Sequence, residues 1–171
     1  MSEPNGQPTS ASGAKLFKVA FDLEEERPNW PPVSVERLWG EKTTTKLEIR
    51  VVNTPFFVRG ISFGDLIQVR PDNERRELVF ENFTSESGHS TVRIILLQGT
   101  EREIVESRLQ VAGCSWELAN AFGNLLAVDI PSTVEYCELR EWLLAQVRAG
   151  RIEIQESAIS SVHRQQLPSF P

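Results

Sequence analysis

Residues 92–113 read Val-Arg-Ile-Ile-Leu-Leu-Gln-Gly-Thr-Glu-Arg-Glu-Ile-Val-Glu-Ser-Arg-Leu-Gln-Val-Ala-Gly, and this stretch decides how the second half of the chain folds. Its first six residues form an almost continuous apolar run, which is typical of a strand buried on both faces. Apolar residues then recur at helical spacing and Gly113 provides a left-handed stop. The pattern therefore predicts a helix over residues 101–112.

Strand and helix patterns continue to alternate beyond this point. Residues 115–118 and 125–130 are predicted strands. Residues 132–135 read Ser-Thr-Val-Glu, the pattern of a capping box, and it predicts the start of a helix that ends at Gly150. Residues 151–156 alternate again and predict a closing strand. The order strand, helix, strand, strand, helix, strand is that of a ferredoxin-like βαββαβ lobe.

The first half of the chain has the period-two patterns of short strands separated by turn residues. These patterns lie at residues 17–23, 33–39, 47–51, 66–69 and 78–80. They favour a small β-barrel or sandwich. We therefore predict an α+β chain with a disordered arm at residues 1–14, a β-rich lobe at 15–86, a ferredoxin-like lobe at 87–157 and a tail at 158–171.

Composition and charge argue against several classes of protein. The chain has 171 residues, of which 24 are acidic and 18 basic, and a formal net charge of -6. No run of Lys and Arg marks a basic patch, which argues against nucleic-acid binding. No apolar stretch approaches the roughly 20 residues of a membrane span, and no secretory signal opens the chain. We expect a cytoplasmic protein without membrane contact, whose oligomeric state the sequence leaves open.

The two cysteines fit that compartment. We expect Cys114 and Cys137 to be buried small apolar residues, and a disulfide between them is the less favoured alternative. Their spacing from the two histidines does not match a zinc site, and the acidic run at residues 24–26 is a solvated loop rather than a metal cage. P-loop, GxGxxG, GxSxG and HExxH motifs do not occur in the sequence, and we expect no cofactor.

Residues 87–93, Ser-Gly-His-Ser-Thr-Val-Arg, carry the densest cluster of polar chemistry, at the junction of the two predicted lobes. Loop amides and hydroxyls next to a guanidinium are suited to hold a phosphate or a carboxylate. The predicted ligand-binding residues are Ser87, His89, Ser90, Thr91 and Arg93. The alternative is a polar turn in which His89 bonds to a backbone carbonyl.

The same segment fits part of a catalytic pattern. Residues 89–92 match the H-x-T-x motif of two-histidine phosphoesterases, whose mechanism needs two such motifs for acid and base roles. The second motif is missing, because His163 lies in the predicted tail. We therefore assign no catalytic residue from this match.

Residues 53–60, Asn-Thr-Pro-Phe-Phe-Val-Arg-Gly, form a second candidate site together with the Gly-Asp pair that follows. Adjacent aromatic rings next to charged groups are typical of contact surfaces. The predicted partner-binding residues are Phe56, Phe57, Arg59 and Asp65. The alternative is a turn in which both rings plug the end of the core.

Several of these motifs together resemble one family. They are residues 30–39 (Trp-Pro-Pro-Val-Ser-Val-Glu-Arg-Leu-Trp), 53–60, 64–65, 87–93, 113–114 and 125–131. The set resembles the bacterial domain-of-unknown-function family numbered four-two-six-five, over about residues 18–156. The resemblance implies a bacterial cytosolic setting, and it brings no catalytic residue or cofactor to this chain.

Two hypotheses on function follow. The leading one is a non-enzymatic module that binds a protein or a small anionic ligand near the junction of the lobes, with an immunity or antitoxin-like protein as one variant. The alternative is an enzyme acting on a phosphate ester, with His89 as acid or base, Ser90 or Thr91 as donor and Arg93 neutralising charge.

Overall fold

Residues 13–119 and 121–168 are described by the computed structural model of the chain. They form a mixed α and β protein that is rich in sheet. The chain divides into two units, the first ending at Ser87 and the second starting at Gly88. Most of the predicted arm, residues 1–12, and the end of the predicted tail, residues 169–171, lie outside the described residues.

Five strands that follow one another along the chain build the first unit. They are β1 (Leu16–Asp22), β2 (Val35–Lys42), β3 (Glu48–Val51), β4 (Leu66–Asp72) and β5 (Glu77–Ser85). Each strand pairs antiparallel with the next. In addition, β1 pairs with β5 in parallel, Val19 with Leu78 and Ala20 with Val79, and this contact joins the two ends of the sheet.

The core of the first unit follows from the period-two patterns, because alternate side chains of a strand point to the same face. Leu38, Ile67 and Val69 are fully buried in it. Gly40 on β2 has a steric reason to be glycine, since a Cβ at this position would lie 2.1 Å from the Cγ2 atom of Ile49. The strands β2 and β3 can therefore approach each other only because Gly40 has no side chain.

The second unit alternates strands and helices. Its elements are β6 (Ser90–Leu96), α1 (Arg102–Ala112), β7 (Ser115–Leu118), β8 (Leu125–Ile130), α2 (Tyr136–Arg148), β9 (Ile152–Ala158) and α3 (Ser161–Gln166). The four strands form one antiparallel sheet in the order β7–β8–β6–β9. All six residues of β8 are buried. The apolar runs thus became the two central strands of this sheet.

The helix α1 lies within a residue of its predicted boundaries, whereas α2 is shorter than predicted at both ends. Gly113, with φ of 87°, ends α1 as the sequence predicts. The predicted capping box is wrong, because Glu135 makes no capping hydrogen bond through its side chain and α2 begins only at Tyr136. The amide of Val134 donates to the carbonyl of Pro131 at 3.0 Å, so a turn occupies the predicted first turn of the helix. The amide of Tyr136 donates instead to Oε1 of Gln166 at 2.6 Å.

Part of the predicted tail is ordered structure. The strand β9 runs to Ala158, and Ser161–Gln166 forms α3. The hydroxyl of Ser160 accepts the amide of His163 at the start of α3, and His163 itself is fully buried. The segment has the polar composition of a tail, but the side chains of His163 and Gln166 are hydrogen-bonded to other parts of the second unit.

Candidate functional site

The hydroxyl of Ser90 lies at the centre of a buried polar cluster in the second unit. Its Oγ is 2.6 Å from Nδ1 of His163 and accepts the amide of Ser160 at 2.9 Å. Nε2 of His163 lies 3.1 Å from the carbonyl oxygen of Pro131, so this nitrogen carries the proton and Nδ1 accepts from Ser90. Ser90 and His163 are both fully buried, and their contact joins α3 to β6.

The protonation state of His163 follows from this position. Burial lowers the pKa of His163 below its ordinary value of 6.5, and the hydrogen bond to the Pro131 carbonyl acts in the opposite direction. The imidazole therefore stays neutral near pH 7 and keeps its acceptor nitrogen for Ser90. A neutral, enclosed serine–histidine pair of this kind suits a structural role.

His89 is held by a carboxylate. Its Nδ1 lies 2.8 Å from Oδ1 of Asp129, and the two side chains are 24% and 8% exposed. Asp129 lies on β8 opposite Thr91 on β6 and Ser115 on β7. Burial raises the pKa of Asp129, and the hydrogen bond with His89 works against that rise. A carboxylate that fixes one nitrogen of a partly exposed imidazole is the arrangement that orients a general base.

Sequence reasoning missed Asp129, although a signal for it exists. Asp129 is the one charged residue in the apolar run at residues 125–130. A charged residue within a strand buried on both faces needs a partner, because an unpaired buried charge is costly.

Arg93 is turned toward β9. Its Nη1 donates to Oε1 of Gln155 at 2.6 Å, and its Nη2 donates to Oγ of Ser157 at 3.0 Å. The side chain is 2% exposed, and Thr91 is fully buried. Of the predicted ligand-binding residues in the second unit, His89 is thus the most accessible.

Ser87 belongs to the first unit, where it meets Asp65 of the other predicted site. The amides of Ser87 and Ser62 donate to the two oxygens of Asp65, both at 2.8 Å. Burial raises the pKa of Asp65, and these two amides oppose the rise. Asp65 is 3% exposed, so its carboxylate holds a loop together.

The adjacent phenylalanines are also buried. Phe56 is 1% exposed and Phe57 5% exposed, as expected if both rings plug the end of the core. Their amides and the amide of Val58 donate to the carboxylate of Glu36 at 2.7–2.8 Å. Arg59 is the exposed member of the predicted partner site: its side chain is 53% exposed and lies 3.5 Å from the carboxylate of Glu26.

A feature that the sequence analysis missed is the distribution of lysine. All four lysines of the chain lie between residues 15 and 46. The pairing of β1 with β2 brings Lys15 and Lys42 to the ring of Phe17, with the ammonium nitrogens 5.3 and 4.4 Å from its centroid. The ammonium of Lys18 lies 5.0 Å from the ring centroid of Trp39.

We refer to residues 15–18 and 39–50 as the lysine end of the first unit. It contains five basic and two acidic residues, a net charge of +3 in a chain of net charge -6. Lys15, Lys42 and Lys46 are exposed. The basic residues form no run, so their clustering becomes visible only once β1 pairs with the hairpin of β2 and β3.

The second unit has a cavity of about 200 Å³ beside the start of α1. The hydroxyl of Thr100 donates to the carbonyl of Arg151 at 2.6 Å, and the Arg151 side chain donates to Oε1 of Gln146 at 2.9 Å. Small-molecule sites usually measure about 300–1,000 Å³. The cavity is therefore small, and polar groups that line it form hydrogen bonds with one another.

Other kinds of site find no support in the part of the chain that the structure describes. No group of three or more His, Cys, Asp or Glu residues there is arranged to hold a metal ion. Cys114 and Cys137 are free thiols, and burial raises the pKa of Cys114 to about 12. Among the described helices, none has the length and apolar character needed to cross a membrane.

Comparison with known proteins shows a family and a fold. The model of a family described as "Domain of unknown function (DUF4265)" matches residues 36–154. A crystal structure of a hypothetical protein from Neisseria gonorrhoeae is similar with a TM-score of 0.66 and 13% sequence identity, over 84% of this chain and 96% of that one, and shows a shared fold alone. No curated protein matches the chain. Because the family model spans well over half of the sequence, the chain belongs to the DUF4265 family.

Proposed function

We propose that the chain is a non-enzymatic binding module that recognises a negatively charged partner, a protein or a small anionic ligand, through the lysine end. The observation that supports this is the charge segregation in the first unit, with all four lysines near Phe17, Trp39 and the hairpin that follows. Two ammonium groups converge on the ring of Phe17, and an anion bound beside them would relieve their mutual repulsion. Such complementarity steers encounter and selects partners.

The architecture agrees with a binding role. The order of elements in the second unit and its strand order β7–β8–β6–β9 support a ferredoxin-like lobe, and the pairing of β1 with β5 supports a barrel-like first lobe. The link from such lobes to binding is an analogy at the level of fold. The lysine end favours a negatively charged partner over the basic toxin surface that an immunity protein would block.

Retention on a carboxymethyl cation exchanger at low salt and about pH 7.5 tests the proposal. An acidic protein with evenly spread charge is repelled by this resin, so we expect retention only because the lysine end presents local positive charge. The double variant Lys15→Glu/Lys42→Glu should pass through the column. Arg70→Glu/Arg148→Glu, which changes the net charge equally at two exposed arginines elsewhere, should still be retained.

Two outcomes of that experiment contradict the proposal. One is passage of the wild-type protein through the column. The other is equal loss of retention in both double variants, because net charge and not its location would then explain the behaviour.

A second candidate function is the alternative enzyme acting on phosphate esters, and the contact between His89 and Asp129 favours it. The 2.8 Å contact would hold the imidazole as a general acid or base, while Arg93 is bonded to β9. General acid–base groups contribute about 10²–10⁴-fold to rate. If the wild type hydrolyses p-nitrophenyl phosphate or its diester, His89→Ala and Asp129→Asn should lose activity by this order, and Arg59→Ala should not. If the wild type hydrolyses neither substrate, the result contradicts an enzymatic function on these phosphate esters.

A further inference from the structure

We infer that the partner of the lysine end is an acidic segment of another protein, and not a nucleic acid or a lipid surface. The inference rests on the proposed function and adds the chemical class of the partner. Three properties of the lysine end support it: the cations beside its aromatic rings are lysines, these rings are in contact with the ammonium groups, and two glutamates lie among the basic residues.

The cations at the rings are lysines. Lys15 and Lys42 lie by Phe17, and Lys18 by Trp39. An ammonium group is a compact, strongly hydrated point charge on a flexible stem, whereas the guanidinium fork is the group suited to bidentate recognition of phosphate. Flexible point charges can follow separate carboxylates that project from a polypeptide. The kind of cation therefore favours carboxylates over a row of phosphates.

The aromatic rings of the lysine end are already in contact with lysine ammonium groups. The ammonium nitrogens of Lys42 and Lys15 are 4.4 and 5.3 Å from the centroid of Phe17, within the range of a cation–π contact. Single-stranded nucleic acids bind by stacking bases on open aromatic faces. A base stacked on Phe17 would have to displace an ammonium group that also attracts the strand. The rings are thus poor platforms for bases.

Two glutamates interrupt the positive charge. Glu41 on β2 lies opposite Leu16 on β1 and Arg50 on β3. Glu48 starts β3 and accepts the hydroxyl of Thr43 at 2.7 Å. A phosphate backbone or an anionic bilayer presents negative charge without gaps and would oppose these carboxylates, and like charges placed together are costly. A polypeptide can place its acidic side chains at the lysines and leave gaps at the glutamates.

The apolar groups of the lysine end fit a polypeptide as well. Leu47, in the turn between β2 and β3, is 37% exposed, and Phe17 is partly exposed. Amphipathic elements that lie on a membrane instead bury an extended apolar face in the headgroup region. One half-exposed leucine offers little for insertion but is enough to contact an apolar side chain beside an acidic one.

Three labelled probes separate the classes: poly-L-glutamate, poly(U) and phosphatidylglycerol vesicles. We expect the full-length wild type to bind poly-L-glutamate more tightly than the other two, measured by fluorescence anisotropy and vesicle cosedimentation at equal salt. Lys15→Glu/Lys42→Glu should weaken binding of poly-L-glutamate by about ten-fold or more, a change of about 1.4 kcal/mol per factor of ten. Arg70→Glu/Arg148→Glu should bind as the wild type does, and circular dichroism should show that both variants remain folded.

The other outcomes overturn the inference. Tighter binding of poly(U) or of vesicles, lost in the lysine variant, contradicts the polypeptide partner and leaves standing only the part of the proposed function that places a negatively charged partner at the lysine end. Failure to bind any of the three probes contradicts the polypeptide partner, and retention on the cation exchanger then decides the proposed function. Sedimentation velocity can also show that the wild type self-associates and that the lysine variant does not. The partner would then be a second copy of this chain, which contradicts the inference that it is another protein.

Discussion

Glu36 shows how one side chain can organise a loop of the first unit. Its carboxylate accepts the amides of Phe56, Phe57 and Val58, and it is 8% exposed. Hydrogen bonds to a charged acceptor are stronger than neutral ones, and a buried donor left without a good acceptor is costly. We predict that Glu36→Gln lowers the free energy of unfolding by about 1–3 kcal/mol in urea titrations.

A matched substitution controls for the loss of one negative charge. Glu81 is an exposed residue of β5. Glu81→Gln should change the free energy of unfolding by no more than about 0.5 kcal/mol. Equal effects of the two substitutions would contradict the role given to Glu36.

Gly64 is a second residue whose role can be tested by comparison. Its φ is +81°, and a Cβ at this position would lie 2.9 Å from the Cβ of Ser87. Gly60 has a φ of +76°, but a Cβ there would have no other atom within 4 Å, so Gly60 shares the backbone strain without the close contact. Gly60→Ala should cost about 1–2 kcal/mol through strain alone. Gly64→Ala should cost more, measured as the difference in thermal or urea unfolding, and an equal cost would mean that Ser87 moves freely.

At the scale of elements, α3 is the part that sequence reasoning missed. The long helices α1 and α2 and the central strands have apolar periodicity, which the sequence displays directly. The contacts of α3 are polar and distant in sequence: Ser90 reaches His163, and Gln166 accepts the amide of Tyr136. A six-residue helix held by such contacts has no local signal that separates it from a polar tail.

The burial of His163 predicts a pH dependence of stability. Its folded pKa lies below the ordinary 6.5, so the unfolded chain takes up the proton first as the pH falls. The contribution of neutral His163 is therefore complete above about pH 6.5 and is lost as the pH falls from there toward the folded pKa. Urea unfolding at about pH 7.5 and about pH 5.5 should show lower stability at the lower pH.

The variant His163→Gln isolates this effect. Glutamine does not titrate, so the difference in stability between the two pH values should shrink even though the variant is less stable at both. His89 must be considered as well, because its electrostatic interaction with His163 also lowers the pKa of His163. If His163→Gln keeps the full pH dependence, His163 is not its source.

At the scale of the whole molecule, the sequence predicted the apolar framework better than the surface. A continuous apolar run such as residues 125–130 predicts a buried strand without knowledge of its neighbours, because burial on both faces requires apolar residues at nearly every position. The lysine end depends on which strands become neighbours: Lys15 and Lys42 are far apart in sequence and come to the same ring, that of Phe17, only through the pairing of β1 with β2. The contact between His89 and Asp129 was missed for the same reason.

The charge distribution of the molecule supports the proposal that a negatively charged partner binds at the lysine end. The most direct test is a titration of the ¹⁵N-labelled protein with poly-L-glutamate, followed by amide chemical shifts. We predict that the largest shift changes fall in residues 15–18 and 39–50. Changes concentrated elsewhere, for example around His89, or no changes at low salt, would contradict the claim.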